Sequence, residues 1–353
     1  MENFSNGSKV IVNRDINATS ELLEAYPAFA PLIDNARIAE AFARHEQAAI
    51  KWKALYERLG RAGLICVLLA MIVFDYQVTL QHLYGNPDFL NALGAGLAIL
   101  GLASQILLLT SHAKDKWITQ RFVAERLRCL KFQAFAQISR SPSAEMLRRN
   151  VATWTNEAIA SLTQEIMGGR SAVLDFSPSE HAVPCFESET GDPALVSDGL
   201  KIYDALRLNV QAQHFAERHQ LAESKARWPE AVSQFCFGAG ALLAFAQILQ
   251  TGWSGFGADN IVSQSGYGQA WLAFATLLLF IVSAVVAVYQ RGSAHQPDAE
   301  RYLTYLREVR RIRMLSGISN SAVLAQSVRE METVALREIH DFCRDSRHSN
   351  FIL

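Results

Sequence analysis

The sequence predicts an all-α membrane protein built as two transmembrane helical hairpins with cytosolic helical bundles, arranged as a tandem duplication. Three observations lead there. The stretch Ala270 to Gln290 has no charge, Pro or Gly. At 1.5 Å per residue it reaches about 30 Å, the hydrocarbon thickness of a bilayer, where a helix satisfies its own backbone. Three further spans accompany it, at about 62–83, where the apolar block Ala62 to Phe74 must continue through Asp75 to reach span length, and at about 89–111 and 231–250. Lys and Arg crowd the outer flanks of each pair of blocks and are missing from the intervening stretches DYQVTLQHLYGNPD and TGWSGFGADNIVSQSGYGQ. That asymmetry predicts hairpins with both ends in the cytoplasm and tips outside.

Composition agrees with this division. The chain has 353 residues, 50% of them hydrophobic, and a net charge of −1. Short apolar blocks are therefore set within polar helical sequence, and nothing in the overall charge calls for nucleic acid as a partner. The cysteines Cys66, Cys129, Cys185, Cys236 and Cys343 have no C-x-x-C spacing, which points to reduced thiols facing the cytosol and not to a zinc site or a disulfide framework. The N-terminal MENFSNGSKVIVNRDINATS lacks a basic stretch followed by an apolar one, so no cleaved signal peptide is expected.

Taken in order, residues 1–33 read as a tail followed by a short helix interrupted by prolines, SELLEAYPAFAP. A first unit covers 34–170. Asp34 or Asn35 can cap a long helix that carries Ile38, Phe42, His45 and Ile50 and runs into the first span. After the second span, WITQRFVAERLRCLKFQAFAQ spaces Phe122, Leu127, Leu130 and Phe135 between basic residues, as an amphipathic exit helix does. Ser141-Pro142 should cap a returning helix that stops at Gly168-Gly169. Residues 171–198 are rich in acid and Pro without Lys or Arg and read as the linker. The second unit, 199–353, restarts with a helix from Gly199 capped by Asp198, breaks at Pro229, and then enters the third span. The fourth span, anchored by Trp271, Tyr289 and Arg291, delivers the chain to the Arg-rich ERYLTYLREVRRIRML.

The halves also match at a nearly constant offset. Phe42 pairs with Phe215, His45 with His219, Lys53-Ala54 with Lys225-Ala226, Ala124-Glu125-Arg126 with Ala299-Glu300-Arg301, and Glu165-Ile166 with Glu338-Ile339. Self-similarity at fixed spacing is the mark of an internal repeat, here of parallel units with one orientation.

EQAAIKWKALYERLG before the first span and WITQRFVAERLRCLKF after the second, with their Trp, Arg and Ala-Glu spacing, resemble the SLATT family of bacterial two-transmembrane effectors. The resemblance covers residues 36–170 well and 200–345 poorly. It implies an inner-membrane protein of a nucleotide-signalled antiviral system that perforates the membrane and stops growth. A tandem form without a recognisable sensor domain departs from the family's usual arrangement, which leaves the trigger open: a nucleotide second messenger or a cytosolic sensor protein.

Candidate site residues follow from polarity in unexpected places. Asp75 either lies within the first span, where an acid costs about 2.5–3.5 kcal/mol on insertion scales, or marks the span's end at the outer headgroups. Gln77 follows it, and Gln234 and Gln247 lie in the third span; these four are the pore-lining candidates, although Gln side chains also bond helix to helix without lining anything. Ser104 and Gln105 are polar in the second span, and small residues pair as Gly94 with Ala98, Gly240 with Ala244 and Ser283 with Ala287, a spacing that permits close helix contact. Arg121, Arg126, Arg128, Arg307, Arg310 and Arg311 are candidates for binding lipid headgroups or ligand phosphates. No metalloprotease, P-loop or nucleophile-elbow motif is present, so no enzyme, catalytic residue, metal or cofactor is expected. The functional expectation is a homo-oligomeric channel or pore. The alternatives are a non-conducting scaffold for a cytosolic partner and a proton-coupled transporter that uses Asp75.

Overall fold

A computed structural model describes residues 15–16, 20–80, 88–167, 191–254, 265–293, 295–315 and 321–348. Among these the regular structure is helical and no strand occurs. The chain is all-α, and among the described residues four helices are long and apolar enough to cross a membrane.

The short N-terminal elements are α1 (Ser20–Ala25), a 3-10 turn (Pro27–Phe29) and α2 (Ala30–Ile33). Helix α3 (Ala36–Thr79) starts where the Asn35 side chain accepts from the Ile38 backbone N–H at 3.3 Å, and it continues without interruption past Asp75. Helix α4 (Asp88–Thr110) follows. His112, at φ 49°, then turns the chain into α5 (Ala113–Gln133), a left-handed conformation that lets a non-Gly residue end one helix and begin another. A 3-10 segment (Ala134–Arg140) leads to α6 (Ala144–Met167). Its cap is Ser143, whose hydroxyl accepts from the Met146 N–H at 3.3 Å, in place of the expected Ser141.

Two expected boundaries in the second half are corrected. Helix α7 (Pro193–Tyr203) begins before Gly199: the Asp192 carboxylate accepts from the Ala194 N–H at 2.9 Å, and Pro193 supplies the first helical residue. After a π-helical turn (Asp204–Leu208), helix α8 (Asn209–Ser254) runs through Pro229 without a break. Proline forfeits only one local backbone bond, and the remaining ladder is kept by a helix that goes on into apolar sequence. Helices α9 (Ser265–Ser293), α10 (His295–Leu315) and α11 (Ser321–His348) complete the chain. The body of the expected linker, the central residues of both predicted hairpin tips (81–87 and 255–264) and most of the N-terminal tail lie outside the described residues.

The chain divides into two compact units. The first comprises Met1–Ala49, Ile118–His219 and Glu300–Arg344. Its core is conventional: Phe132, Phe135 and Tyr203 pack ring against ring, with centroids 5.5 to 6.2 Å apart, among Leu32, Ile138, Val309, Val328 and Met331. The second comprises Ile50–Trp117, Gln220–Ala299 and Asp345–Leu353. There the pattern is inverted. Few residues are buried, while Ile99, Leu102, Phe235, Leu242 and Ile248 are all more than 60% exposed. An outward-facing apolar surface on helices of this length is what a lipid solvent requires and water does not tolerate.

Within the second unit, contacts between helices use small or polar residues. A Cβ on Gly101 would lie 2.9 Å from Val67 Cγ2, and one on Gly94 would lie 3.0 Å from Val73 Cγ1, so α3 and α4 touch closely at both levels. Helices α8 and α9 meet where Ser283 Oγ donates to the Ser233 carbonyl at 3.1 Å. Tyr56 stacks on Trp117 at 6.0 Å, and the Lys116 ammonium lies 4.4 Å from the centre of the Trp52 ring. This cluster of aromatic and cationic groups suits the end of a span.

Candidate functional site

Polar groups concentrate in two places, one in each unit. In the second unit the central residue is Asp75. It is only 2% exposed, and among the described residues neither carboxylate oxygen accepts a hydrogen bond. Thr79, one turn on, donates its hydroxyl to the Asp75 backbone carbonyl at 2.6 Å. The helix therefore continues beyond Asp75, and the acid side chain is removed from solvent. Next to it, Gln77 Nε2 donates to Asn91 Oδ1 at 2.7 Å, joining α3 to α4.

Gln234 and Gln247 have hydrogen-bond partners of their own. Gln234 is exposed and bonds within its own helix, donating to Glu230 Oε1 at 3.2 Å. Gln247 donates to Thr276 Oγ1 at 3.1 Å, and Thr276 donates onward to the Leu272 carbonyl at 2.7 Å. That is interhelical bonding between α8 and α9. A Cβ on Gly63 would stand 2.9 Å from Gln105 Nε2, so Gln105 also lies at a helix contact.

In the first unit two arginines of α5 are ion-paired, Arg121 part-buried and Arg128 in the interior. Arg121 Nη1 donates to both oxygens of Glu46, at 3.1 and 2.9 Å, and its Nη2 pairs with Glu125. Arg128 Nη1 donates to Glu125 at 3.1 and 2.9 Å, and the Arg128 guanidinium lies 5.0 Å from the centre of the Phe42 ring. Arg126 is 4% exposed. Burial favours the neutral form of the Glu125 carboxyl, but Arg121 and Arg128 prevail and hold it down at about 2. Arg307, Arg310 and Arg311 of α10 differ from these residues: all three are exposed. Arg311 bonds Glu308 at 3.1 Å and Glu330 at 2.9 Å.

At the centre of this network is a pair, Arg207 and Glu332, that is not among the residues singled out from the sequence. Arg207 donates from Nε and Nη2 to the two oxygens of Glu332, both at 2.8 Å, and the Tyr203 hydroxyl donates to Glu332 Oε1 at 3.2 Å. Arg207 sits on the π-helical turn and lies 4.6 Å from the centre of the Phe132 ring. Burial works against the Arg207 charge, and Glu332 overcomes it, so the guanidinium is held above its ordinary value. On Glu332 burial outweighs the same partner and places the carboxyl above the usual range. Cys129, 3.9 Å from Arg207 Nη2, is a thiol pushed far up by burial and by Glu332, the opposite of an activated nucleophile. Asp15 joins the network through Arg128 at 3.2 Å and Arg207 at 3.8 Å.

A sequence signal for Glu332 did exist. It falls one turn from Val328 and Leu336 and two turns from Leu324, on the buried stripe of α11. A lone acid on an apolar stripe implies a buried cation, although it does not say which.

No protein-family model matches this chain, and no curated protein or solved structure matches it either.

Proposed function

We propose that this multi-pass membrane protein assembles into an oligomeric channel or pore of the bacterial inner membrane, opened by a cytosolic signal or partner, with both termini in the cytoplasm. The observation that carries the reading is the Asp75 side chain, 2% exposed on a helix long and apolar enough to span. Intramembrane acids are costly and mark ion or proton paths more often than they serve packing. Four spans are too few to enclose an aqueous lumen and leave large apolar side chains turned outward, so conduction calls for several copies. Asp75 and Gln77 are assigned to the conducting path; Gln234 and Gln247 are assigned to helix contacts.

The resemblance of residues 36–170 to SLATT effectors supports membrane perforation in a conflict system, and the matched layout of the halves supports a tandem duplication of that unit. Arg307 and Arg310 are exposed on a helix that follows a span and suit anionic headgroups, each cation near such a surface contributing about 1 kcal/mol.

Ion flux through purified protein in liposomes tests the reading, with nucleotides and cytosolic extract as triggers. The expected result is a triggered conductance altered in ion selectivity by Asp75→Asn. Absence of conductance under every trigger, together with an intact membrane potential on induced expression, would overturn it and favour a docking scaffold. Substrate-dependent proton uptake abolished by Asp75→Asn would favour a coupled transporter.

A further inference from the structure

Asp15 and Ile16 are each 2% exposed, inserted among side chains of the first unit. Lys131 Nζ donates to the Asp15 carbonyl at 2.8 Å and to the Ile16 carbonyl at 2.9 Å. The Asp15 carboxylate has Arg128 Nε at 3.2 Å, Gln211 Nε2 at 3.4 Å and Arg207 Nη1 at 3.8 Å. All four of these groups are buried: Arg128 7% exposed, Lys131 3%, Arg207 1% and Gln211 7%.

The two guanidinium groups do not depend on Asp15 for their positions, whereas the Lys131 ammonium is bonded to the segment's own carbonyls. Arg207 is fixed by its two 2.8 Å bonds to Glu332, and Arg128 by Glu125. Their contacts to Asp15 are the longer ones. Withdrawing the segment would leave two guanidinium groups already fixed in place, with the Lys131 ammonium and the Gln211 amide beside them, together with a charge imbalance that a low-dielectric interior does not tolerate.

We propose that Arg128, Lys131, Arg207 and Gln211 form an oxyanion-binding site that Asp15 fills in cis, so that the Asp15–Ile16 segment is a displaceable plug and an external carboxylate or phosphate group competes with it. The plug supplies what such a ligand would supply: one carboxylate for the guanidinium groups and two carbonyl acceptors for the ammonium. The proposal stands apart from conduction, because its test reads binding and not flux.

The test uses the full-length protein in detergent at pH 6.5, where Lys131, lowered by burial to about 8, remains charged. Thermal unfolding is followed in sodium phosphate, in sodium acetate and in sodium chloride of equal ionic strength. Asp15→Asn keeps the shape of the plug and removes its charge; Asp15→Ala opens the pocket. The expected result is a lower Tm for both variants in chloride, raised saturably by phosphate or acetate by several degrees more than in the parent protein. Adding Lys131→Met to Asp15→Asn should abolish that gain. Restoration by phosphate alone or by acetate alone supports the site and defines its preference. Equal shifts in parent and variants would overturn the proposal, as would a gain that survives Lys131→Met. So would failure of both Asp15 variants to fold, since a displaceable plug leaves a folded unit behind.

Discussion

Arg207 and Glu332 face each other in the interior of the first unit through two hydrogen bonds of 2.8 Å, with side chains 1% and 0% exposed. The pair joins the π-helical turn before α8 to the middle of α11. Its Coulombic gain is set against the desolvation of two full charges, so its presence is better evidence for a defined packing arrangement than for net stability.

The first prediction follows from that balance. Glu332→Leu or Arg207→Met alone leaves an uncompensated buried charge and should cost about 3–5 kcal/mol. The double variant Arg207→Met/Glu332→Leu should recover most of the loss. Denaturant unfolding of all three in detergent measures it, and the coupling energy between the sites is the quantity to report. Equal losses in the single and double variants would mean that the pair holds nothing together.

Acid should destabilise the first unit in two stages. The His214 imidazole is held down at about 4 by burial and by Arg128 and Arg218, below its ordinary 6.5. The unfolded chain takes up that proton first, so stability falls as pH drops from about 6.5 to about 4. The Glu125 carboxyl lies at about 2 against an ordinary 4.5, so its contribution is present above about 4.5 and is lost between there and about 2. Tm measured from pH 7 to pH 3 should decline across both windows. His214→Gln should flatten the upper window and leave the lower one, and an unchanged profile would contradict the assignment.

How far the sequence could be read depends on the length scale of each signal. Apolar length exposes the four candidate spans directly, because a bilayer imposes a minimum run that composition alone reveals, as at Ala270 to Gln290. Local caps are also legible where side chain and backbone are neighbours, as at Asn35. The start of α7 is less so: Asp192-Pro193 and Asp198-Gly199 are both plausible openings, and only the Ala194 N–H decides between them. Pro229 misleads because a single proline costs one bond within a helix 46 residues long. The roles of Arg121 and Arg128 are hidden for another reason. A basic helix beside a span looks like a headgroup binder until the acids that neutralise it are known, and Glu46 and Asp15 lie far away in the chain.

The start of α7 offers a third, smaller test. Asp192 accepts from the Ala194 N–H at 2.9 Å, and removal of such a cap typically costs about 1 kcal/mol. Asp192→Ala should lower the stability of the first unit by that order, whereas Asp198→Ala, which loses only an exposed pair with Lys201 at 2.8 Å, should change it little. Denaturant midpoints compared at equal slope distinguish them. A larger loss at Asp198 would put the start of the helix where the sequence alone had suggested.

The last prediction contrasts two glycines of α4 that the sequence does not tell apart. A Cβ at Gly101 would lie 2.9 Å from Val67 Cγ2 and 3.5 Å from the Val67 backbone nitrogen, whereas one at Gly96 would meet nothing within 4 Å. Both positions are helical, so either Gly→Ala substitution gains backbone stability on the order of 1 kcal/mol. At Gly96 that gain should stand, leaving Tm unchanged or raised. At Gly101 the methyl group must push back a β-branched side chain that strongly prefers one rotamer in a helix, so either that rotamer or the close approach of α3 and α4 is lost and Tm should fall. Gly101→Leu should amplify the fall and Gly96→Leu should do so far less, because a Cβ at Gly96 starts in open space. Thermal unfolding in detergent reads all four variants, and a Gly101→Ala protein as stable as Gly96→Ala would show that the close contact between the two spans is not needed to hold them together.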